Sequence, residues 1–370
     1  MSGAVGVGTV TGVIGSDRLG LTLPHEHLVN DLRSAVVPPT RPERAFLTDA
    51  AVTPELAWLL REDPYACRDH CVLDDVDAVV ADLAVFAEAG GRSVIDLTPP
   101  GIGRDPAALR GIAERTGLNV IMGSGWYLQR FHPAHLARTG VDDLAAELVA
   151  EFRAEGPGAA GPGVIGEIGV SPDFTADEHT ALRAACAAQR EVGVPLFVHL
   201  PGWRRRAFEV LDIVLEEQGV DPGAVVLCHM DPSGEDPVYQ LAVAERGAWL
   251  EFDMVGMPFR YPGEGQSPAP ADTARAVRTL VRAGHAGRLL LSHDVFLKSM
   301  LTRHGGNGFG YVPVLFADRL RGLGVDDATV DLLLAGNPRR LFEAAARGRG
   351  ARPAADPTTN NATIARKEPS

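Results

Sequence analysis

The stretch LTLPHEHLVN, residues 21–30, is a short apolar run that ends in two histidines, His25 and His27. Successive side chains of a β-strand point to opposite faces, so a spacing of two places both histidines on one face and Glu26 on the other. The chain has only 11 histidines in 370 residues, and two of them stand at the end of this one run. The stretch therefore predicts a buried strand whose carboxyl end carries a functional site.

Seven similar apolar runs follow, and most are separated by segments with helical periodicity. They are RSVIDLTPP (92–100), NVIMGSG (119–125), GVIGEIGV (163–170), VPLFVHL (194–200), AVVLCHM (224–230), AWLEFDM (248–254) and RLLLSHD (288–294). Alternating β and α units predict a parallel sheet. Eight units in roughly 290 residues favour a (β/α)8 TIM barrel over an open sheet. No GxGxxG motif opens a helix after any of these runs, which argues against a dinucleotide-binding sheet.

The segment RDPAALRGIAERTG, residues 104–117, shows how the intervening helices are delimited. Asp105 is suited to cap the start, Pro106 to occupy the first helical position, and Gly117 to end the helix. The sequence thus predicts a helix between the second and third strands.

Two regions depart from the regular alternation. An insertion over residues 31–74 falls on the first βα loop, at the face where barrel active sites are built, and we expect it to form a lid or pocket wall. The last segment, 347–370, has no large apolar residue apart from Ile364 and is predicted to be a disordered tail. The remaining residues, 1–346, form one predicted domain.

The charge of the chain indicates what kind of partner it has. Formal net charge is −13, and the predicted tail holds five basic and two acidic residues, so the remainder carries −16. A domain this acidic repels nucleic acid and anionic membranes. We therefore expect a small-molecule substrate, and no nucleic-acid or membrane partner.

Cysteine content and apolar run length predict a cytoplasmic location. Four cysteines in so long a chain do not make a disulfide framework. No apolar run reaches the roughly 20 residues of a membrane helix, and no basic residue precedes Arg18, as a signal peptide would require. The stretch CRDHC, residues 67–71, offers a Cys–His–Cys metal set, but its spacing is not that of a zinc ribbon and no second cysteine pair supports it.

Barrel strands are buried on both sides, so polar residues at their carboxyl ends call for a functional explanation. Six such residues are His25, His27, Glu167, His199, His229 and Asp294. Any one of these histidines alone is more simply a hydrogen-bonded core residue. Together, four histidines and two carboxylates suit divalent metals such as zinc or manganese. Six ligands exceed the four of a tetrahedral zinc, so two metals that share a carboxylate fit better.

The sequence resembles the phosphotriesterase family of the amidohydrolase superfamily from about Thr9 to Ala346. The resemblance rests on VTGVIGSDRLGLTLPHEHLVND, GEIGVS, FVHLPG, CHMDPSGEDP, LSHDVFLKS and the following GGNGFGYV. The HxH motif alone is a weak signal, whereas these motifs in this order are specific.

The resemblance implies a set of ligands for each of two divalent metals. His25, His27 and Asp294 would hold the more buried ion, and His199 and His229 the more exposed one. Zinc is the ion that we expect first, with Mn2+, Co2+ or Fe2+ as alternatives. The resemblance also implies a homodimer.

A residue on the fourth strand bridges the two metals in this family, as a carboxylated lysine in several members and as a glutamate in others. This chain has only two lysines, Lys298 and Lys367, and neither lies on the fourth strand. The resemblance therefore assigns the bridge to Glu167.

The implied chemistry is hydrolysis. Two divalent ions against Glu167 and Asp294 leave a net positive site, which lowers the pKa of bound water so that a metal-bridging hydroxide becomes the nucleophile. Asp294 is the predicted catalytic residue, because it can take the proton and pass it to the leaving group.

Specialised substrate patterns of the family are incomplete in this chain. Organophosphate-hydrolysing members carry a histidine after the strand-seven aspartate, where Met254 follows Asp253 here, and their second relay aspartate is replaced by Pro232 after Asp231. Lactonase members put an arginine at the Met254 position, yet share a tyrosine that matches Tyr127.

We therefore predict hydrolysis of a carboxylic ester, lactone or N-acyl amide. A phosphotriester or phosphoester hydrolase on the same site is one alternative, and a non-hydrolytic or ligand-binding role is another. Predicted substrate contacts are Trp126, Tyr127, Arg130, Met254, Arg260 and Lys298. The basic members of this set, together with Arg303, could bind a carboxylate or could simply be solvated surface charges, and the two aromatic residues could be packing residues under the lid.

Overall fold

A computed structural model describes residues 4–153 and 161–348. Its central feature is a parallel sheet of eight strands in sequential order. They are β1 (Leu21–Glu26), β2 (Gly91–Asp96), β3 (Asn119–Ser124), β4 (Val164–Gly169), β5 (Leu196–His199), β6 (Val225–Leu227), β7 (Trp249–Phe252) and β8 (Leu289–Leu291). Each of the eight apolar runs coincides with one of these strands, as predicted, although β2 begins one residue before its run.

The sheet closes on itself at the carboxyl ends of β1 and β8. The backbone N–H of His27 donates to the carbonyl of Val295 over 3.2 Å, and that of Asp294 donates to the carbonyl of His25 over 3.2 Å. The predicted (β/α)8 barrel is confirmed. Because all strands run in one direction, their carboxyl ends form a single rim.

Helices cover the outside of the barrel. Their bounds are Val76–Glu88, Pro106–Thr116, Val141–Phe152, Ala176–Val192, Ala207–Leu211 with its extension Asp212–Glu217, Pro237–Ala244, Pro270–Arg282, Val312–Phe316 with Ala317–Gly322, Asp327–Asp331 with Leu332–Gly336, and Asn337–Arg347. The helix at Pro106 begins and ends as predicted, because the Asp105 carboxylate accepts two backbone N–H groups and Gly117 adopts a φ of 70°.

The alternation of side chains along the strands creates two apolar layers. Inward-facing residues such as Ile95, Phe197 and Trp249 fill the barrel interior, and a hairpin of Gly6–Thr9 with Gly12–Gly15 contributes Val7 to the same cluster. Outward-facing residues pack against the helices in a second, larger cluster. A tightly packed interior of this kind holds the strand ends in fixed positions.

The insertion at residues 31–74 lies over the carboxyl rim and includes the helix Ala57–Glu62. His70 joins it to the loop after β8: one ring nitrogen lies 2.8 Å from the Pro64 carbonyl and the other 2.7 Å from Ser299 Oγ. Both nitrogens are thus occupied by hydrogen bonds, which argues against a metal at the CRDHC stretch.

All four cysteines are buried and free, so the structure contains no disulfide. None of the helices in the described ranges is long and apolar enough to cross a membrane. The helix Asn337–Arg347 includes the first residue of the predicted tail. From residue 349 onwards that tail lies outside the described residues, and its disorder stays a prediction.

Candidate metal centre

The six predicted ligands meet inside the carboxyl rim of the barrel. His25 lies in β1 and His27 directly after it, Glu167 lies in β4, His199 ends β5, and His229 and Asp294 follow β6 and β8. All are buried except His199, which is partly exposed. Residues that are up to 269 positions apart in the sequence are therefore neighbours in space.

Glu167 forms the middle of this cluster. Its Oε1 atom lies 2.9 Å from His199 Nδ1 and 2.8 Å from His229 Nε2. On its other side, His25 Nε2 is 3.8 Å away. One carboxylate oxygen thus faces ring nitrogens from three histidines.

Asp294 faces the histidines of the first strand. Its Oδ1 atom is 3.3 Å from His27 Nε2 and 3.7 Å from His25 Nε2. Asp294 and His229 both have positive φ angles, 51° and 59°. Aspartate and histidine tolerate this left-handed conformation better than most residues, and it turns both side chains towards the barrel axis as the strands end.

The donor set fits a divalent cation. The Nε2 atom of His25 is buried and has no hydrogen-bond partner, which would be costly for an imidazole nitrogen without a ligand. Within the described residues, three of the four sets of candidate ligand atoms that lie within 4.8 Å of one another are made of predicted ligands: His25, His27 and Glu167; His25, His229 and Asp294; and Glu167, His199 and His229. Imidazole nitrogens and carboxylate oxygens are ligands for zinc, manganese, cobalt and iron.

Buried carboxylates orient two of the histidines by contacting their Nδ1 atoms. Glu251 Oε2 is 2.9 Å from His25 Nδ1, and Asp253 Oδ2 is 3.1 Å from the same nitrogen. The other oxygen of Asp253 is 2.9 Å from His229 Nδ1. Such contacts fix the ring orientation, so that each Nε2 points to the centre of the cluster.

His27 is oriented in the same way by a hydroxyl group. Its Nδ1 atom lies 2.8 Å from Thr98 Oγ1. Asp96 accepts the backbone N–H of Thr98 over 3.1 Å and that of Leu28 over 2.7 Å, which ties the ends of β1 and β2 together.

The electrostatics of the cluster favour bound positive charge. Burial would raise the pKa of Glu167, but the charges of His199 and His25 hold it well below its usual value. Burial would lower the pKa of His229, yet Asp253 and Glu167 raise it well above its usual value. Such a shift favours the protonated imidazole of His229, and a divalent cation would take the place of that proton.

The model of the phosphotriesterase family matches residues 5–342. The chain belongs to the phosphotriesterase family. It is a hydrolase, as the named activities of its relatives support.

Three relatives illustrate this membership. The N-acetyltaurine hydrolase of Xenopus tropicalis is 31% identical over 90% of this chain and 97% of its own length. A resiniferatoxin-binding protein from Rhodobacter sphaeroides is 50% identical, with a TM-score of 0.89 over 92% of this chain and 95% of that one. The phosphotriesterase homology protein from Escherichia coli, solved with phosphate in its active site, is 27% identical, with a TM-score of 0.71 over 88% of this chain and 99% of that one.

A cavity opens above the cluster of predicted ligands in this family member. The insertion contributes Leu32 and Tyr65 to its wall, and the loops after β5 and β7 contribute Trp203 and Tyr261. The wall is therefore rich in aromatic side chains. Such a cavity is suited to a small, partly apolar substrate.

The predicted substrate contacts fall into two groups. Tyr127, Arg130 and Met254 line the cavity, whereas Trp126 is buried behind it. Tyr127 reaches the wall because its backbone packs against Gly169, where a Cβ atom would lie 2.3 Å from the Tyr127 carbonyl carbon.

The two remaining basic residues of that set lie away from the cavity lining. Lys298 Nζ is 2.5 Å from Asp69 and 3.3 Å from Asp74, which places its charge against the insertion. Arg260 is exposed on a short hairpin formed with Gly265–Gln266.

Sequence reasoning missed Glu251 and Thr98, and of the aromatic wall it missed Tyr65, Trp203 and Tyr261. A signal for Glu251 was present, because AWLEFDM carries two carboxylates at a spacing of two inside a buried run. Residues at that spacing share the inward face of β7, and both contact ligand histidines. Burial raises the pKa of Glu251 to about 7, although its hydrogen bond to His25 opposes the shift.

Proposed function

We propose that the protein is a binuclear metal-dependent hydrolase that cleaves a carboxylic acyl bond, foremost an N-acyl amide and also a carboxylic ester or lactone. The observation that carries the proposal is the convergence of four histidines and two carboxylates on one point, with the buried Nε2 of His25 left without a partner. A metal ion would satisfy this nitrogen.

Two ions divide the donors of the cluster between them in this proposal. His25, His27 and Asp294 would hold one ion, His199 and His229 would hold the other, and Glu167 would be a ligand of both. When bound, divalent ions in such a site lower the pKa of a water molecule and polarise the carbonyl under attack. Zinc suits this donor set best, and manganese, cobalt and iron also accept it.

The chain itself supplies the proton transfer. Asp294 is buried, lines the cavity and has its Oδ1 atom directed towards His27 and His25. From this position its carboxylate can accept a proton from the attacking water and deliver it to the leaving nitrogen or oxygen. Asp253 and Glu251 keep the histidines in the ligating orientation throughout.

Acyl chemistry is favoured by the residue beside the metal cluster. Met254 lines the cavity and has no acid–base chemistry, so the histidine relay of organophosphate-hydrolysing members has no counterpart at this position. The N-acetyltaurine hydrolases, at 30–32% identity over 90% of this chain, support an amide substrate.

Two other functions have some support. The phosphate in the active site of the Escherichia coli protein favours phosphoester hydrolysis. The name of the Rhodobacter sphaeroides protein favours ligand binding without turnover. Both can be separated from acyl hydrolysis by experiment.

The test combines metal analysis with a substrate panel. Protein purified without chelator should contain two metal ions per chain and should hydrolyse an N-acyl amide faster than an aryl ester, a lactone or a phosphotriester. Glu167→Gln should reduce the metal content towards one ion per chain, whereas Glu235→Gln, on an exposed glutamate, should leave two. Fastest turnover of the phosphotriester would overturn the acyl proposal, and two ions per chain in Glu167→Gln would overturn the shared ligand.

A further inference from the structure

Arg130 is the one arginine or lysine that lines the cavity above the ligand cluster, within residues 4–153 and 161–348. It stands on the loop after β3 and its side chain is exposed to the cavity mouth. Two other basic residues near the rim are engaged in ion pairs away from the cavity. Lys298 pairs with Asp69 and Asp74, and Arg303 pairs with Asp75.

The guanidinium of Arg130 is held in position without being neutralised. It lies 4.9 Å from the ring centroid of Phe131 and 5.9 Å from that of Tyr65, within the range of cation–π contacts. No carboxylate of the described residues comes within ion-pair distance of it. Aromatic faces orient an arginine while leaving its N–H groups free for another partner.

A continuous aromatic wall joins Arg130 to the metal end of the cavity. The Tyr127 ring is 4.9 Å from the His199 ring, and 5.5 Å from the Phe131 ring over which Arg130 lies. One substrate could therefore span the wall, with its scissile bond beside His199 and a second group at Arg130.

An unpaired arginine is unusual in the surroundings of this cavity. The chain carries a formal net charge of −13, and the exposed Glu264 also lines the cavity. A neutral substrate would have no use for a free guanidinium in the wall. An anionic substrate would need one, both to bind and to overcome the surrounding negative charge.

We infer that Arg130 binds a carboxylate or sulfonate group of the substrate, so that the site selects acyl compounds that carry a negative charge. This inference rests on the proposed acyl hydrolysis and adds the substrate class. The planar fork of the guanidinium matches the paired oxygens of either anion. The aromatic wall packs against the uncharged part of the molecule.

The test compares substrates that differ only in charge. N-acetyl-β-alanine and N-acetyltaurine carry a carboxylate and a sulfonate, and N-isopentylacetamide is a neutral isostere of the first. Arg130→Met should reduce kcat/KM for both anionic amides by about 10- to 100-fold, and for the neutral amide by less than about threefold. Arg130→Lys should lose less of the kcat/KM for the anionic amides than Arg130→Met does, because lysine keeps the positive charge but lacks the planar guanidinium.

Two further variants sharpen the result. Arg204→Met, at an exposed arginine next to Trp203 but outside the cavity lining, should leave all three rates unchanged. Glu264→Gln removes a negative charge from the rim and should raise kcat/KM for the anionic amides only. An equal loss for charged and neutral substrates in Arg130→Met would indicate a structural role and overturn the inference, as would no loss at all.

Calorimetric binding of N-acetyltaurine separates this inference from the proposed function. Binding that weakens at least tenfold in Arg130→Met, with no turnover by the wild type, would keep the anion site and overturn the hydrolase proposal. Turnover that does not depend on Arg130 would keep the hydrolase and overturn the anion site.

Discussion

The Nε2 atom of His229 lies 2.8 Å from the Nδ1 atom of His199, and both nitrogens face the same oxygen of Glu167. Two unprotonated imidazole nitrogens at this distance would repel one another through their lone pairs. A proton on one of the two nitrogens, or a metal ion held by the two rings, removes the repulsion. In the proposed metal centre the ion has this role, and the stability of the site should depend on it.

Chelation should destabilise the protein. A ligand that binds only the folded state at 100 times its Kd stabilises it by about 2.7 kcal/mol. We expect that removal of metal with EDTA lowers the thermal midpoint by several degrees, and that added zinc restores it while added magnesium does not, because imidazole ligands favour zinc. Thermal unfolding followed by circular dichroism measures the shift. An identical midpoint with and without chelator would contradict a metal centre.

Asp294→Asn should separate catalysis from folding. Asparagine adopts left-handed φ values readily, so the backbone at φ 51° is retained, and its amide oxygen still faces His27. Loss of the proton-accepting carboxylate should reduce kcat by about 10²- to 10⁴-fold. Metal content and thermal midpoint, measured on the same sample, should stay close to the wild-type values. Turnover at the wild-type rate would remove Asp294 from the mechanism.

The strands and the convergence of the six predicted ligands were predictable from the sequence because both depend on local patterns. A barrel strand is buried on both faces, so it reads as a short apolar run, and His25, His27 and Asp294 stand where such runs end. In a barrel of parallel strands, the topology alone places all the carboxyl ends at one rim. The positions of these ligands therefore follow from topology.

The substrate contacts were less predictable because loops take their course from long-range packing. Lys298 and Arg130 look equivalent in the sequence, yet Lys298 is neutralised by Asp69, which is 229 positions away, and Arg130 is not. Tyr65 lines the cavity from the insertion, which is joined to Ser299 through His70. Such pairings leave no periodic signal in a single sequence.

Glu251→Gln should weaken metal binding without removing a ligand. Its carboxylate is 2.9 Å from His25 Nδ1 and favours the tautomer whose Nε2 faces the metal cluster. Loss of such a contact typically reduces metal affinity about 10- to 100-fold, and we expect the lower end because Asp253 contacts the same nitrogen. Zinc affinity is measured by competition with a chromogenic chelator.

A matched control is Glu178→Gln, a buried glutamate that caps the helix Ala176–Val192. It should lower stability, because glutamine has one acceptor oxygen where the two oxygens of Glu178 accept the backbone N–H groups of Gln129 and Thr175, but leave zinc affinity unchanged. If the two variants bound zinc equally well, Glu251 would have no role at the metal centre.

His70 should make the protein less stable in mild acid. Burial lowers the pKa of His70 to about 4, below the value of about 6.5 in an unfolded chain. Between pH 6.5 and pH 4 the unfolded state binds a proton at His70 that the folded state does not. The contribution of the neutral His70 to the free energy of unfolding is therefore complete above pH 6.5, and about 3 kcal/mol is lost as the pH falls from 6.5 to 4. Urea unfolding of His70→Gln should show a correspondingly smaller loss over this range. Ser299→Ala should lower stability but keep the wild-type decline of the free energy of unfolding with falling pH, since the buried imidazole remains. An equal decline in the wild type and in His70→Gln would exclude His70 as the titrating group.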